Sequence, residues 1–419
     1  MGPRSGCGVM TTDVRVAIVG GGIVGCSVLY ALARRGWTDT VLLERLELTS
    51  GSTWHAAGNI THFGHYAEIT RLYVDSLKLY QEAEQASGQS IGFHPTGSLR
   101  LATSQAELEA YKSLEPLYET LGVPYRVVDA DEVGRLHPLV LTEGLFGAAH
   151  TPADGHVDAS GATHALAKAA RNLGAGIRRQ SPVTGIRQVA DGWELDTDNG
   201  AVRARHVVLA ASFWTRELAL QLGLDLPLYA MEHHEVITDD VAELKALGRE
   251  VPTIRDPAAP ANTRQERYSL LCGVYETEPV LWATDGIPPE FGQELLVPNM
   301  DRLEEHLLRV MDRIPAFGSS GIRTVNNGPM CFPPDGCPLV GPVRSHEGLW
   351  LAAGFPVGIG TGGGSGTYLA DWMIDGTPPY ALPIIDPARY ADPLPASNSF
   401  AAMKATYRKG YVMPVLPSA

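Results

Sequence analysis

Val14-Arg15-Val16-Ala17-Ile18-Val19 runs straight into Gly20-Gly21-Gly22-Ile23-Val24-Gly25, and this stretch decides the fold. An apolar, valine- and isoleucine-rich run followed by G-x-G-x-x-G reads as a strand, a tight turn and a helix start. Gly20 makes the turn, Gly22 lets the backbone approach a pyrophosphate, and Gly25 lets the helix pack closely on the strand. The helix, expected over Cys26 to Arg35, then points its N-terminus at the phosphates. The next apolar run, Val41-Leu42-Leu43, ends in Glu44 about 20 residues past the last glycine, where a βαβ unit sets an acid on the ribose hydroxyls. An acid at that point argues against NADP as the resident cofactor.

The chain around this unit has 419 residues, 44% hydrophobic and 19% charged, enough for two domains with substantial cores. A net charge of −14 argues against nucleic acid or an anionic membrane surface as a partner. No run of 18 uncharged apolar residues appears. Met1 to Asp13 has neither the apolar stretch of a signal peptide nor the Arg-rich amphipathic character of a mitochondrial presequence, so a flexible leader is expected. Cys7, Cys26, Cys272, Cys331 and Cys337 form no C-x-x-C pair and are read as free thiols in a reducing cytoplasm. No metal site is expected.

Farther along, Ile69, Leu72, Tyr73, Leu77 and Tyr80 give Glu68 to Ala86 a helical period. Gly97 to Leu101 reads as a strand, and Ser104-Gln105-Ala106-Glu107 is a capping box opening a helix to Leu121. Asp154 to Asp158 leads into a helix over Ala159 to Leu173. A hairpin is expected to turn at Asn199-Gly200, followed by the strand His206 to Ala211. From Leu228 to about Pro329 the pattern becomes strand-like with Pro-rich connections, interrupted by a helix over Asp301 to Ile314. Leu349 to Ala353 forms a last strand, and the glycine-rich Gly354 to Gly366 opens a helix ending near Trp372.

The run Gly51-Ser52-Thr53-Trp54-His55-Ala56-Ala57-Gly58 lies directly behind the βαβ unit. It resembles the flavin attachment loop of the dimethylglycine and sarcosine dehydrogenase family, FAD-dependent amine oxidoreductases of the D-amino-acid-oxidase-like superfamily. The resemblance extends through Ser76-Leu77-Lys78-Leu79-Tyr80, Gly92-Phe93-His94, Asp154-Gly155-His156, Arg264-Gln265-Glu266-Arg267 and Asn327-Gly328-Pro329. It covers the flavin part only, without a folate-binding module.

The resemblance implies FAD carried covalently on His55, with Ser52, Thr53 and Ala57 of the same run, Glu44 and the fingerprint glycines also against the cofactor. Val183 matches a position whose backbone meets the adenine, and Gly354, Gly358, Ile359, Gly360 and Thr361 offer a helix start to the reduced flavin edge. The implied fold is a discontinuous α/β Rossmann-like FAD domain (14–61, 150–226 and 335–378) with an α+β substrate domain on a largely antiparallel sheet (62–149 and 227–334). Residues 379–419 are expected to form a tail wrapping the surface. His233 and Tyr275 match positions that orient the substrate amine, with the choice between His233 and His234 left to strand phase.

The chain departs from the family at three places. Ser212 replaces a glycine after the strand His206 to Ala211, while Ala261-Asn262 and Val357 stand where tyrosines are usual. These departures imply a roomier, less polar pocket, with Ala261, Asn262 and Val357 lining it and Arg264 or Arg267 available to a carboxylate. The expected reaction is oxidation of a secondary or tertiary N-methyl amine or amino acid by hydride transfer to flavin N5, releasing formaldehyde. Electrons would pass to O2 or an electron-transferring flavoprotein. The alternatives are a catalytically silent regulatory paralogue and an FAD enzyme oxidising a C–C or C–O bond.

Overall fold

The computed structural model describes residues 12–64, 67–392 and 394–410. Most of the leader, and Cys7 with it, therefore lies outside the described residues. Two sheets organise the chain. The first runs Leu339–Pro342, Leu349–Ala353, Gly200–Leu209, Thr12–Val19, Thr40–Leu43, Gly176–Arg178. From Leu349–Ala353 to Gly176–Arg178 these strands pair in parallel, as expected of a doubly wound dinucleotide-binding sheet; Leu339–Pro342 is antiparallel at one edge, and Gly192–Thr197 with Val183–Val189 joins Gly200–Leu209 antiparallel. Val16, Ala17 and Ile18 of the Thr12–Val19 strand are wholly buried.

The helix after the fingerprint spans Ile23–Arg34, three residues earlier than expected. Gly22 is its extended N-cap, so Ile23-Val24-Gly25 already belong to the helix. Gly20 has φ of +114°, and a Cβ on Gly25 would stand 2.0 Å from the Gly20 carbonyl oxygen. The glycine-rich helix, Gly358–Asp375, packs against both this helix and the Ala67–Ser87 helix. Its glycines are needed for that approach: a Cβ at Gly364 would lie 2.1 Å from the Leu72 carbonyl oxygen. The Ser76-to-Tyr80 motif supplies the polar latch. The Ser76 hydroxyl accepts from the Gly364 amide (2.8 Å), and the Tyr80 hydroxyl donates to the Ile359 carbonyl (2.9 Å).

The second sheet is antiparallel across most of its nine strands, with one parallel pair between Thr253–Asp256 and Ser98–Ala102. Tyr229–Thr238 is its hub, pairing with Ser269–Val274, Leu281–Trp282 and Ile322–Phe332. Asp154 ties this sheet to the chain leaving the flavin loop. Its buried carboxylate accepts from the Ser98 hydroxyl (2.5 Å), the Thr61 hydroxyl (3.0 Å) and the His62 amide (2.7 Å).

Three local expectations are corrected. The capping box is present, with both reciprocal bonds, yet its helix stops at Lys112 and a second begins at Glu115. Pro116 lacks an N–H and its ring clashes with the carbonyl four residues back, that of Lys112, so the helix breaks there. The hairpin turns at Asp198-Asn199, because Thr197 pairs with Gly200. The Asn199 side-chain Nδ2 donates to the Gln180 carbonyl (3.0 Å) and the Ser181 hydroxyl (2.8 Å), holding Asn199 in the turn. The substituted Ser212 holds the glycine-like conformation, with φ of +53°, at a strain of about 1–2 kcal/mol.

The third correction concerns the tail. It ends in a helix, Ala396–Lys409, whose Met403 and Tyr407 are fully buried against Tyr229, Met231 and Phe332. This segment is core, not wrapping. Among the described residues no helix is long and apolar enough to cross a membrane, and Cys26, Cys272, Cys331 and Cys337 are free.

Candidate active site

A long cavity runs between the two sheets. Pro182, Val183, Leu218 and Gln221 line one end; Gly20, Gly21, Gly22 and Glu44 line the middle; His55, His233, Tyr275 and Val357 line the other. The Glu44 carboxylate accepts from the Gly21 amide (2.7 Å) and the Leu46 amide (2.8 Å), which fixes it beside the fingerprint turn. Burial pushes its pKa up against the pull of those amides.

The loop carrying His55 is pinned by two adjacent hydroxyls just ahead of the ring. The Thr53 hydroxyl accepts from the Ile23 amide in the first turn of the fingerprint helix (3.1 Å), and the Ser52 hydroxyl donates to the Pro329 carbonyl (2.9 Å). These bonds explain why Ser-Thr precedes the histidine: each hydroxyl anchors the loop to a different wall. The His55 ring meets Trp54 edge-on at 5.5 Å and lies against Gly328, where a Cβ would stand 2.4 Å from its Cε1 and Nδ1. Burial lowers its pKa to about 4, so the imidazole is neutral at neutral pH and keeps a nucleophilic lone pair.

Strand phase settles the histidine pair. His233 faces the cavity, while His234 points to the opposite side, where Nδ1 meets the Glu276 carboxylate (2.6 Å) and Nε2 accepts from the Asn299 amide (3.1 Å). His233 Nδ1 lies 2.8 Å from the Tyr407 hydroxyl, itself 3.4 Å from the Glu232 and Val274 carbonyls. In the tautomer whose Nδ1–H donates to the phenol oxygen, the phenol proton turns to these backbone acceptors and the Nε2 lone pair is left toward the cavity. Burial first, then the neighbouring His234 and His55, hold the His233 pKa near 4 despite the opposing pull of Glu276. Tyr275 packs on His233 (5.1 Å) and Tyr407 (4.9 Å).

The glycine-rich helix opens the same end of the cavity. Val357 is its N-cap and gives no side-chain bond, so the amides of Gly358, Ile359 and Gly360 begin a helix with no acid in its first turn. Such a start suits an anionic edge. Gly354, at φ of +77°, also lines the cavity. Thr361 does not; its hydroxyl donates back to the Val357 carbonyl (3.0 Å) within the first turn.

Two pocket expectations are overturned. Ala261 is buried in the substrate-domain core and does not line the cavity, because alternate residues of Ala261–Glu266 face opposite sides and Asn262 takes the inner one. Arg264 does not line it either. Its Nε donates to the Ala57 carbonyl of the flavin loop (2.8 Å), and its Nη1 meets both the Gln265 carbonyl (2.9 Å) and the Glu266 carboxylate (2.7 Å). Asn262 is held by the Asn59 amide (3.1 Å) and donates to the Gly273 carbonyl (3.3 Å), so the wall is roomy but polar. Sequence reasoning also passed over Glu235, Asn326 and Met330, which line this end, and Tyr407, which stands behind it. Glu235 was within reach of the strand alternation that chose His233; nothing local announces Tyr407.

A doubly wound sheet with a dinucleotide fingerprint, a ribose acid and a neutral imidazole at the flavin end defines an FAD-dependent oxidoreductase. The residues present fit that group along the whole cavity: glycines where a Cβ would collide, open amides, and an uncharged histidine. Residues 15–372 match the family described as FAD dependent oxidoreductase, and the chain belongs to it. It is 40% identical over 379 residues to mitochondrial dimethylglycine dehydrogenase of Mus musculus, covering 89% of this chain and 44% of that protein. It is 34% identical over 388 residues to 4-methylaminobutanoate oxidase (formaldehyde-forming) of Paenarthrobacter nicotinovorans, covering 91% and 46%. The chain thus spans less than half the length of these curated relatives. The crystal structure of L-proline dehydrogenase from P. horikoshii superposes with a TM-score of 0.79 at 24% identity, covering 91% of this chain and 99% of that one, which shows the shared fold.

Proposed function

We propose that this chain carries FAD covalently on His55 and oxidises a small secondary or tertiary N-methyl amine or amino acid at a CH–NH bond, releasing formaldehyde. The observation that carries the reading is the joint placement of His55, His233 and Tyr275 at the end of the cavity opened by the glycine-rich helix. FAD, when bound, supplies the acceptor for the hydride lost from the methyl carbon. The substrate nitrogen must be unprotonated for its lone pair to form the new C=N bond; water then adds to that iminium carbon and the carbinolamine parts into demethylated amine and formaldehyde. His233, held at Nδ1 by Tyr407 and kept neutral by burial, is too weak a base to hold the amine's proton; the amine enters in its neutral form, its proton left to solvent, and Nε2 orients it. Tyr275, packed on the same ring, closes the site against water.

Final electron transfer goes to O2 or an electron-transferring flavoprotein, and the free thiols suit a cytoplasmic setting. The test is anaerobic mixing of the yellow holoenzyme with a panel of N-methyl amines, following loss of flavin absorbance and formaldehyde yield per amine consumed. Bleaching by no amine would leave a silent paralogue, and bleaching by alcohols alone would move the reaction to a C–O bond. Acid precipitation tests the linkage: colour stays with the wild-type polypeptide and leaves that of His55→Ala.

A further inference from the structure

Two residues beyond His233, the same face of the Tyr229–Thr238 strand carries Glu235 into the cavity. Glu235 lies opposite Asn326 on one side and Gly273 on the other, and Gly273 lies opposite Asn262. Four strands therefore present Asn262, Gly273, Glu235 and Asn326 as one row across the wall. The bare Gly273 keeps the row open: a Cβ there would stand 2.7 Å from the Asn262 side-chain nitrogen and 3.6 Å from His233 Nε2. Glu235 is only 9% exposed, and the Ala57 amide of the flavin loop donates to it.

What faces this carboxyl is mostly acceptor or neutral. Among the described residues lining the cavity, Arg45 is the one lysine or arginine, and it is committed beside Glu44, donating to the Phe291 carbonyl (2.5 Å) over the Trp214 ring (4.7 Å). Arg264 approaches Glu235 from the same sheet face but places its donors on Ala57, Gln265 and Glu266. Burial outweighs Arg264 and raises the Glu235 carboxyl to about 7. A buried acid held so near neutrality gains most from a cation brought to it, and a second carboxylate brought there would meet repulsion with no committed counter-charge.

We propose that Glu235 sets the substrate class, pairing with a second, protonated nitrogen, so that the preferred substrate is an N-methylated diamine rather than an N-methyl amino acid. The assignment rests on the amine-oxidation reading above and narrows it. Only the reacting nitrogen loses its proton, beside His233; the distal ammonium keeps its own and donates to Glu235, with the Asn262 and Asn326 amides flanking it.

The experiment uses the holoenzyme and three amines of matched length: N-methylputrescine, N-methylpentylamine and 4-methylaminobutanoate. Anaerobic bleaching rates against amine concentration are expected to rank diamine above neutral amine above amino acid, each step about tenfold or more. Glu235→Gln, which keeps shape and removes charge, should lower the diamine by about tenfold relative to the neutral amine. A wild-type preference for the amino acid or for the neutral amine overturns the assignment, as does an equal fall for all three amines in Glu235→Gln. Bleaching by none of the three, with flavin bound, overturns the amine-oxidation reading itself and the assignment with it. Should the variant fail to fold, the wild-type ranking decides alone.

Discussion

Gly328→Ala should uncouple flavin binding from flavin attachment. A Cβ at residue 328 would lie 2.4 Å from both Cε1 and Nδ1 of His55 and 3.1 Å from Nε2. Ordinary carbon contacts stand at about 3.5–4.0 Å, so the ring must retreat by about 1 Å. The strand cannot give way instead, because Gly328 is paired with His233 and the adjacent Pro329 carbonyl holds Ser52. Such overpacking costs about 1–3 kcal/mol of stability, which a folded protein survives. Its chemical effect is larger: a nucleophile displaced by about 1 Å loses its near-attack position, at roughly a hundredfold in rate. The assay adds FAD to apoprotein and follows colour and fluorescence retained by the acid-denatured polypeptide over time, with His55→Ala as the reference without linkage. The expected result is near-normal reversible binding with attachment slowed about a hundredfold. Attachment of Gly328→Ala at the wild-type rate would refute the reasoning, since His55 would then not be the ring this glycine makes room for.

Acid should destabilise the fold well before carboxylates titrate. Burial holds His55, His137 and His233 near pKa 4 and His156 near 3, against an ordinary value of 6.5, so the unfolded chain binds more protons than the fold and stability is lost as pH falls from about 6.5 through 4. Glu235, raised to about 7, acts oppositely, with its contribution present at low pH and lost as pH rises through 7, as do Glu44 and Asp75, also raised by burial; but His150 and His206 are lowered too, so three carboxyls face six imidazoles. Urea titrations at stepped pH check this, and stability unchanged between pH 7 and 4.5 would contradict it. Tyr407→Phe removes the 2.8 Å bond to His233 at about 1 kcal/mol while leaving FAD content intact; kcat should fall and the pH profile should shift, whereas an unchanged profile would show Tyr407 to be packing alone. Val357→Tyr adds a ring at the half-exposed N-cap of the glycine-rich helix and should turn kcat/KM toward smaller amines. An identical size preference would remove Val357 from the pocket.

What the sequence made legible is local. The fingerprint glycines, Glu44 and the Ser-Thr-Trp-His run each do their work within a few dozen residues, where spacing alone places a turn, a helix start or a loop. Ser212 was legible by its mismatch, since a non-glycine in a glycine position still has to take the left-handed backbone. Ala261 misled because a motif names positions without fixing which face of a strand they occupy, and Arg264, on the same face as Asn262, because its guanidinium is drawn to the Ala57 carbonyl and the Glu266 carboxylate. The Asp198-Asn199 turn was displaced by a side-chain bond to Ser181, a contact between segments that no hairpin rule sees. Tyr407 reaches His233 across 174 positions of sequence, and no periodicity announces a partner at that distance.

The helix Ala396–Lys409 gives the order of synthesis a chemical meaning. A ribosome releases the fingerprint and the His55 loop first, the His233 strand midway, and the Tyr407 helix near the end of these 419 residues. A chain cut short before Ala396 would still possess every glycine and acid that holds the cofactor, yet its His233 would lack the phenol behind it and Met231 would lose the cover of Met403. The residues that hold flavin and the phenol behind His233 are thus completed at different moments of translation. On the proposed reading, a product ended before Ala396 that folds and loads flavin would be yellow and idle, and colour alone would be a poor guide to how many finished molecules a preparation contains.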